Sequence, residues 1–238
     1  MLRLLWVTGG ILFFAGGISA PNLPFARGQQ PPELTVSIGE VVTDESIQSG
    51  LRLEQQRLWL DAIQHYESAT RQHPDDASLK QRLLVCRIHH DVQRRYQDAT
   101  FVRSVGEMSL LQALDLYVEL LANMETHYVD GIDWQRLVRH GSASLEVALT
   151  EPIFIEKLLP DAKPDAIETF RMAIHKQVLN RATTSRHELR AIASQVAELA
   201  KRELGLSSTA VVLEFACGSL AALDPYSRFL TAGQLEET

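Results

Sequence analysis

Leu110-Leu111-Gln112-Ala113-Leu114-Asp115-Leu116-Tyr117-Val118-Glu119-Leu120-Leu121-Ala122-Asn123-Met124-Glu125-Thr126-His127-Tyr128 is the most regular stretch of the chain. Leu110, Leu114, Tyr117, Leu121, Met124 and Tyr128 recur in it at alternating intervals of four and three residues. That spacing lays the apolar side chains along one face of a helix; a half-buried strand would alternate at every second residue. The pattern breaks at Tyr128-Val129-Asp130-Gly131-Ile132-Asp133, where Gly131 is a turn residue. Asp133 is the N-cap of a second helix carried by Trp134, Leu137, Val138, Gly141, Leu145 and Ala148. So short a connection favours an antiparallel pair.

Working outward, the same texture persists. Toward the N-terminus, Asp76 to Tyr96 reads as a long helix, made locally basic by Arg82, Arg87, His89, His90, Arg94 and Arg95. A solvated face offset by acidic neighbours is the expected role of these charges. His89 and His90 are adjacent, so they point in different directions and make a poor metal pair. Before this helix, Gly50, Ala62, Tyr66, Ala69 and Pro74 occupy the offsets of a tetratricopeptide helix–turn–helix unit. Ala62 and Ala69 allow close helix approach, Trp59 and Tyr66 fill the space between, and Pro74 ends the second helix. One period later, Tyr96 and Thr100 stand where a small and an aromatic residue are required. One such hairpin is expected, and no array of the roughly three units a solenoid needs.

Toward the C-terminus, Pro152, Pro160 and Pro164 punctuate a less regular region. Helices follow on Ile167, Phe170 and Ile174, and on Leu189, Ile192, Val196 and Leu199. In the last long helix Leu206, Ala210, Leu213, Cys217 and Leu220 share one face, with Ser207 or Ser208 as the N-cap. Val211-Val212 is too short for a strand. The expected class is all-α: antiparallel helical hairpins, one of them tetratricopeptide-like, packed as a bundle or array.

The 238 residues, 45% hydrophobic, are enough for a sizeable core. A net charge of −7 gives no general attraction to nucleic acid or anionic lipid, so no nucleic-acid partner is expected. Arg3 and the apolar run Leu4–Ile18 resemble a secretory leader, with Ile18-Ser19-Ala20 or Ala15-Gly16-Gly17 as cleavage candidates. Glycines weaken the run as a membrane helix, so residues 1–20 are expected to direct export to the periplasm or cell envelope. Membrane contact would follow only if the leader were retained as an anchor. Residues 21–45, with Arg27-Gly28-Gln29-Gln30-Pro31-Pro32, read as a flexible linker. Cys86 and Cys217 lie in helical apolar patterns, where free cysteine serves as a small hydrophobe, although an exported protein could pair them.

No Gly-rich phosphate cradle, His-Glu-x-x-His, Gly-x-Ser-x-Gly or zinc-type cysteine pair occurs. No cofactor or metal is expected. Ser219 sits late in an apolar helix without an evident base, and Ser227 sits beside Arg228, which cannot act as one. His175 and His187 fall on polar helix faces and read as solvated.

The end segment is Leu223-Asp224-Pro225-Tyr226-Ser227-Arg228-Phe229-Leu230. Asp224 as N-cap and Pro225 at the first helical position start one turn, and Thr231 and Gln234 have capping-box spacing for another. Together with Tyr128, Val129 and Asp130, the residues Leu223, Asp224, Pro225, Tyr226, Ser227 and Leu230 resemble the N-terminal helical region of carboxyl-terminal processing (tail-specific) serine peptidases. The likeness covers roughly residues 76–238. Arg94-Arg95-Tyr96, Ala113-Leu114-Asp115-Leu116-Tyr117, residues 145–152 and residues 210–214 are similar to the long-N-terminus, planctomycete-type version. It implies a PDZ domain that captures substrate C-termini, and a serine nucleophile with a lysine base, all downstream of Thr238. No serine or lysine here matches the family's catalytic motif, so no catalytic residue is assigned.

Expected domains are residues 46–105, the hairpin plus long helix, and 106–238, the peptidase-type helical region ending at the PDZ entry. The expected function is the non-catalytic part of an exported C-terminal processing endopeptidase, acting on protein or peptide substrates through downstream domains. Docking, substrate admission and homo-oligomer contacts are the roles left to the helices. The competing expectation is a secreted helical interaction scaffold using the Gly50–Pro74 hairpin. Apolar surface around Tyr226, Phe229 and Leu230 would be covered by a following domain.

Overall fold

The computed structural model describes residues 38–128, 131–179, 181–223, 229 and 231. The leader, linker residues 21–37, Val129, Asp130, Asp224, Pro225, Tyr226, Ser227, Leu230 and Gln234 lie outside the described residues. Within them the chain is all-α, as its periodicity requires, and no strand occurs. The helices are α1 (Ile38–Gln55), α2 (Trp59–Gln72), α3 (Ala77–Gln97), α4 (Ala99–Glu107), α5 (Leu110–His127), α6 (Trp134–Ala148), α7 (Pro152–Leu158), α8 (Pro164–Leu179), α9 (Arg186–Leu204) and α10 (Ser208–Ala221). Among the described residues, no helix is long and apolar enough to cross a membrane.

Side-chain caps set the starts of α3, α4, α5, α6 and α9. Asp76 accepts from the Ser78 backbone N–H at 2.8 Å, and Asp133 from that of Arg136 at 2.9 Å. Ser109 and Gln112 form a reciprocal capping box at the head of α5. Four starts differ from expectation. Helix α1 begins at Ile38, inside the stretch read as linker, because a helix held by Ile47 and Leu53 lengthens at little cost once nucleated. Pro152 and Pro164 open α7 and α8 rather than merely punctuating, since the first helical position needs no N–H. Ser207 stands at the N-cap of α10 without a side-chain bond there, and Ser208 donates to the Ala197 carbonyl instead.

Two clusters of buried residues are present among the described residues. The smaller holds Trp59, Ala62, Ile63, Tyr66, Ala69, Leu79, Leu83 and Cys86, and so contains the small and aromatic hairpin landmarks. A Cβ on Gly50 would stand 2.2 Å from the Tyr66 ring, so only glycine admits this approach of α1 and α2. The larger cluster begins at Ile88 and runs through α4–α10. The changeover falls inside α3, whose two ends serve different cores.

Helix α10 departs from its expected single apolar face: residues 209–220 are all buried. A helix apolar on every side belongs at the centre of a bundle, and α10 packs against α4, α5, α6 and α9. Its contact with α6 is made at two glycines. A Cβ on Gly218 would lie 2.3 Å from the His140 carbonyl oxygen, and one on Gly141 would lie 2.8 Å from Phe215 Cδ1. The one acidic residue of α10, Glu214, is fully buried and accepts from Arg95 Nη2 at 2.7 Å and from Ser144 Oγ at 2.7 Å.

The basic face of α3 is therefore only partly the solvated one expected. Arg82 and Arg87 meet Glu54 and Glu67 at 3.2 and 2.8 Å on the hairpin, which fits that expectation. Arg95 is instead 5% exposed, since α3 also packs against α4, α6 and α7 and the Arg95 guanidinium reaches Glu214 of α10.

Candidate functional site

Tyr128 and Leu223, the first residues of the two motif pieces, are far apart in sequence and in contact in space. Tyr128 caps the C-terminus of α5, its N–H donating to the Met124 carbonyl. Its hydroxyl donates to the carbonyl of Leu223, just beyond α10, at 2.8 Å. Leu223 itself is buried against the main core. The first motif is thus tied to the point where the second begins.

Two described residues after Leu223, Phe229 and Thr231, lie against α4 and the residue that caps it. Phe229 meets the Phe101 ring edge-on, with centroids 6.0 Å apart, and it is half-buried rather than freely exposed as expected. A small apolar cavity lies there between Phe101, Met108, Leu116, Leu213 and Phe229. The Thr231 hydroxyl donates to Asp98, whose carboxylate also accepts from the Thr100 N–H at 2.7 Å to cap α4. Partial burial works against the Asp98 charge, but bonds from Thr231 and Thr100 outweigh it and hold its pKa below the usual carboxylate value. The seat consists of a hydroxyl–carbonyl bond, a ring contact and a hydroxyl–carboxylate bond. Such a set orients a segment; it contains no nucleophile–base pair. Tyr128→Phe is expected to weaken the seat by about 0.5–1.5 kcal/mol, the net value of one hydrogen bond. Amide hydrogen exchange would show this as faster exchange around Leu223, with α5 itself unchanged.

A second polar centre joins the hairpin to the body. Glu151, 2% exposed, precedes α7 and accepts from Arg57 Nη1 at 3.1 Å and from His89 Nδ1 at 2.5 Å. His89 stacks on Trp59 with ring centroids 4.0 Å apart. Arg57 has a left-handed backbone, φ 55°, in the turn after α1. The Leu58 N–H bonds to the Leu53 carbonyl and the Arg57 N–H to that of Glu54, the pairing of a Schellman ending. Glycine would suit that position at lower cost. Arginine there brings its guanidinium to Glu151 and to the Thr150 carbonyl, 3.2 Å away. Sequence reading missed this joint: its partners are scattered, and only Glu151-Pro152 carried a local signal, that of a helix start.

The remaining candidates are structural. Ser219 Oγ lies 2.7 Å from the Tyr117 hydroxyl and 3.4 Å from the Leu137 carbonyl, fully buried with no base attached. His175 is exposed and reaches Glu146 at 3.2 Å; His187 is exposed. No cluster able to hold a metal ion occurs among the described residues. Cys86 and Cys217 are free and buried. Burial first, with the nearby charge of Glu54, pushes the Cys86 thiol up to about 12. Burial likewise pushes Cys217 up to about 12, against the opposing pull of Arg95. Both thiols are expected to resist a thiol reagent in the native protein and to react together on unfolding, since the thiolate is the attacking form. Rapid native labelling of either would contradict this.

Comparison with protein-family models, curated proteins and solved structures gives no match for this chain.

Proposed function

We propose that the chain is the non-catalytic helical region of an exported carboxyl-terminal processing serine peptidase, which seats and orients the chain leading into a PDZ domain. The observation that supports this reading is the Tyr128–Leu223 hydrogen bond, which joins the two sequence pieces that carry the resemblance. The return of Phe229 and Thr231 onto α4 fits an entry region that fixes a direction of departure. In this reading residues 1–20 are a leader to the periplasm or cell envelope. Substrate tails are bound and cut by downstream domains, and the helical region acts through position alone.

The deciding experiment is the intact mass and peptide map of the native protein. The proposal expects peptides continuing past Thr238 into a PDZ-like stretch and a later serine/lysine pair. A native protein whose mass ends at Thr238 would refute it. The purified 238-residue chain is expected to leave peptides with apolar C-termini uncut. Cleavage abolished by Ser219→Ala or Ser227→Ala would refute the non-catalytic assignment.

A second reading, a secreted interaction scaffold, is favoured by the closely packed α1–α2 hairpin at Gly50 and Tyr66. It expects the shorter native mass and a specific partner lost when the hairpin surface is altered.

A further inference from the structure

Asp98 stands at the corner between α3 and α4, and its carboxylate is shared between two tasks. Oδ1 accepts from the Thr100 N–H and from the Thr100 hydroxyl, both at 2.7 Å, and so caps α4. Oδ2 accepts from the Thr231 hydroxyl. Thr231 is buried, so this bond is screened from water. Thr100, Phe101, Leu213, Phe229 and Thr231 all line one small cavity, across which Phe229 meets Phe101 edge-on. Apolar packing around Phe229 is therefore incomplete, and the bond to Asp98 carries a correspondingly larger share of the seat.

We propose that the Thr231–Asp98 bond is a proton-operated catch: Phe229 and Thr231 stay seated on α4 while Asp98 is ionised, and leave it, with the bundle still folded, when that carboxylate is neutralised. The proposal stands on the seat's geometry and is independent of the peptidase reading. An ionised carboxylate only accepts, and all three groups that reach Asp98 donate; a proton on Oδ2 sets donor against donor. Whatever bond remains loses its charge assistance, about half its strength. Burial raises the Asp98 pKa, and the bonds from Thr231 and Thr100 bring it below the usual carboxylate value. A carboxyl depressed in this way stabilises the folded arrangement above the unfolded value of about 3.9, and that contribution is lost as pH falls through the depressed one. The catch is therefore closed at neutral pH and opens in acid. The charged side chains of the elements around it are Arg94 and Arg95 of α3, Arg103 of α4 and Glu214 of α10. Arg94 and Arg103 are exposed, Arg95 and Glu214 are bonded to each other, and none is ion-paired with Asp98.

The test is NMR of the full 238-residue chain, following the Asp98 carboxyl carbon, the Phe229 ring and the amides of α5 and α10 from neutral pH into acid. The Phe229 signals are expected to move from seated to free values together with the Asp98 titration, while the α5 and α10 amides keep their native positions. Asp98→Asn separates the two tasks. Asparagine caps a helix as well as aspartate does, and the two Thr100 donors keep its oxygen on the cap, but where Oδ2 stood it presents an NH2 that cannot accept. In that variant at neutral pH the seated-to-free ratio is expected to fall about tenfold or more, the factor for one bond to a charged group. In Thr231→Val, Asp98 is expected to titrate about one pH unit higher, because a tenfold coupling acts equally on both partners. A folded Asp98→Asn that keeps Phe229 seated would overturn the proposal, as would an unchanged Asp98 titration in Thr231→Val. Loss of the α5 and α10 signals at the same midpoint as Phe229 would refute release from a folded bundle. If Asp98→Asn does not fold, the Thr231→Val titration decides.

Discussion

Glu214→Ala is expected to cost about 3–5 kcal/mol of folding stability, as breaking one half of a buried ion pair does. The variant leaves the Arg95 guanidinium, 5% exposed, without its carboxylate and deprives Ser144 Oγ of its acceptor. Against a usual total of about 5–15 kcal/mol, that loss takes a domain to the edge of unfolding. The charge matters through its burial, so the double variant Arg95→Met, Glu214→Leu should recover most of the loss by replacing the pair with apolar volume. The surface pair Arg186–Glu125, at 2.8 Å and well exposed, provides the contrast. Glu125→Ala there should change stability by no more than about 1 kcal/mol. Urea unfolding of the four proteins measures all of this. A loss below about 1 kcal/mol for Glu214→Ala would show that the pair is solvated.

Gly218→Ala should destabilise by about 2 kcal/mol or more, at the upper end for overpacking. Helix propensity works the other way and favours alanine by about 1 kcal/mol. Sterics win because of which atoms are struck. The new methyl would lie 2.3 Å from the His140 carbonyl oxygen and 2.7 Å from Gly141 Cα, both backbone. Neither can rotate aside as a side chain would, so α6 must retreat from α10 along its length. For a chain of this size the change corresponds to a fall in Tm of roughly 4–8 °C. Calorimetry that found Gly218→Ala unchanged or raised in Tm would mean that the two helices do not cross so closely.

The fold class was legible because helical periodicity needs only local information. The four-three spacing of Leu110–Tyr128, the long helix read over Asp76–Tyr96 and the Asp133 cap all correspond to helices in place. The centrality of α10 was less visible. Its apolar positions could be read as one stripe, but the residues between them, Val211, Val212, Phe215 and Ala216, are also buried. Nor could the polar centre be read. Arg95 and Glu214 are 119 residues apart, and each alone looks like a solvent-facing charge on a helix. The short helices α4 and α7 are too brief for a periodicity to establish itself. For the exit seat, sequence marked Tyr128 and Leu223 separately, through resemblance. Their hydrogen bond depends on how α5 and α10 are brought together.

Helix α3 gives its first half to the hairpin core, through Leu79, Leu83 and Cys86, and its second to the body, through Ile88, Val92 and Tyr96. No loop separates the two. Melting the hairpin would strip one side from the first turns of α3, and fraying there removes the support under His89 and its bond to Glu151. The hairpin and body are therefore coupled as a single foldon, with one thermal transition in place of two. A cut between residues 74 and 77, which looks like a domain boundary, would leave half a core open to water.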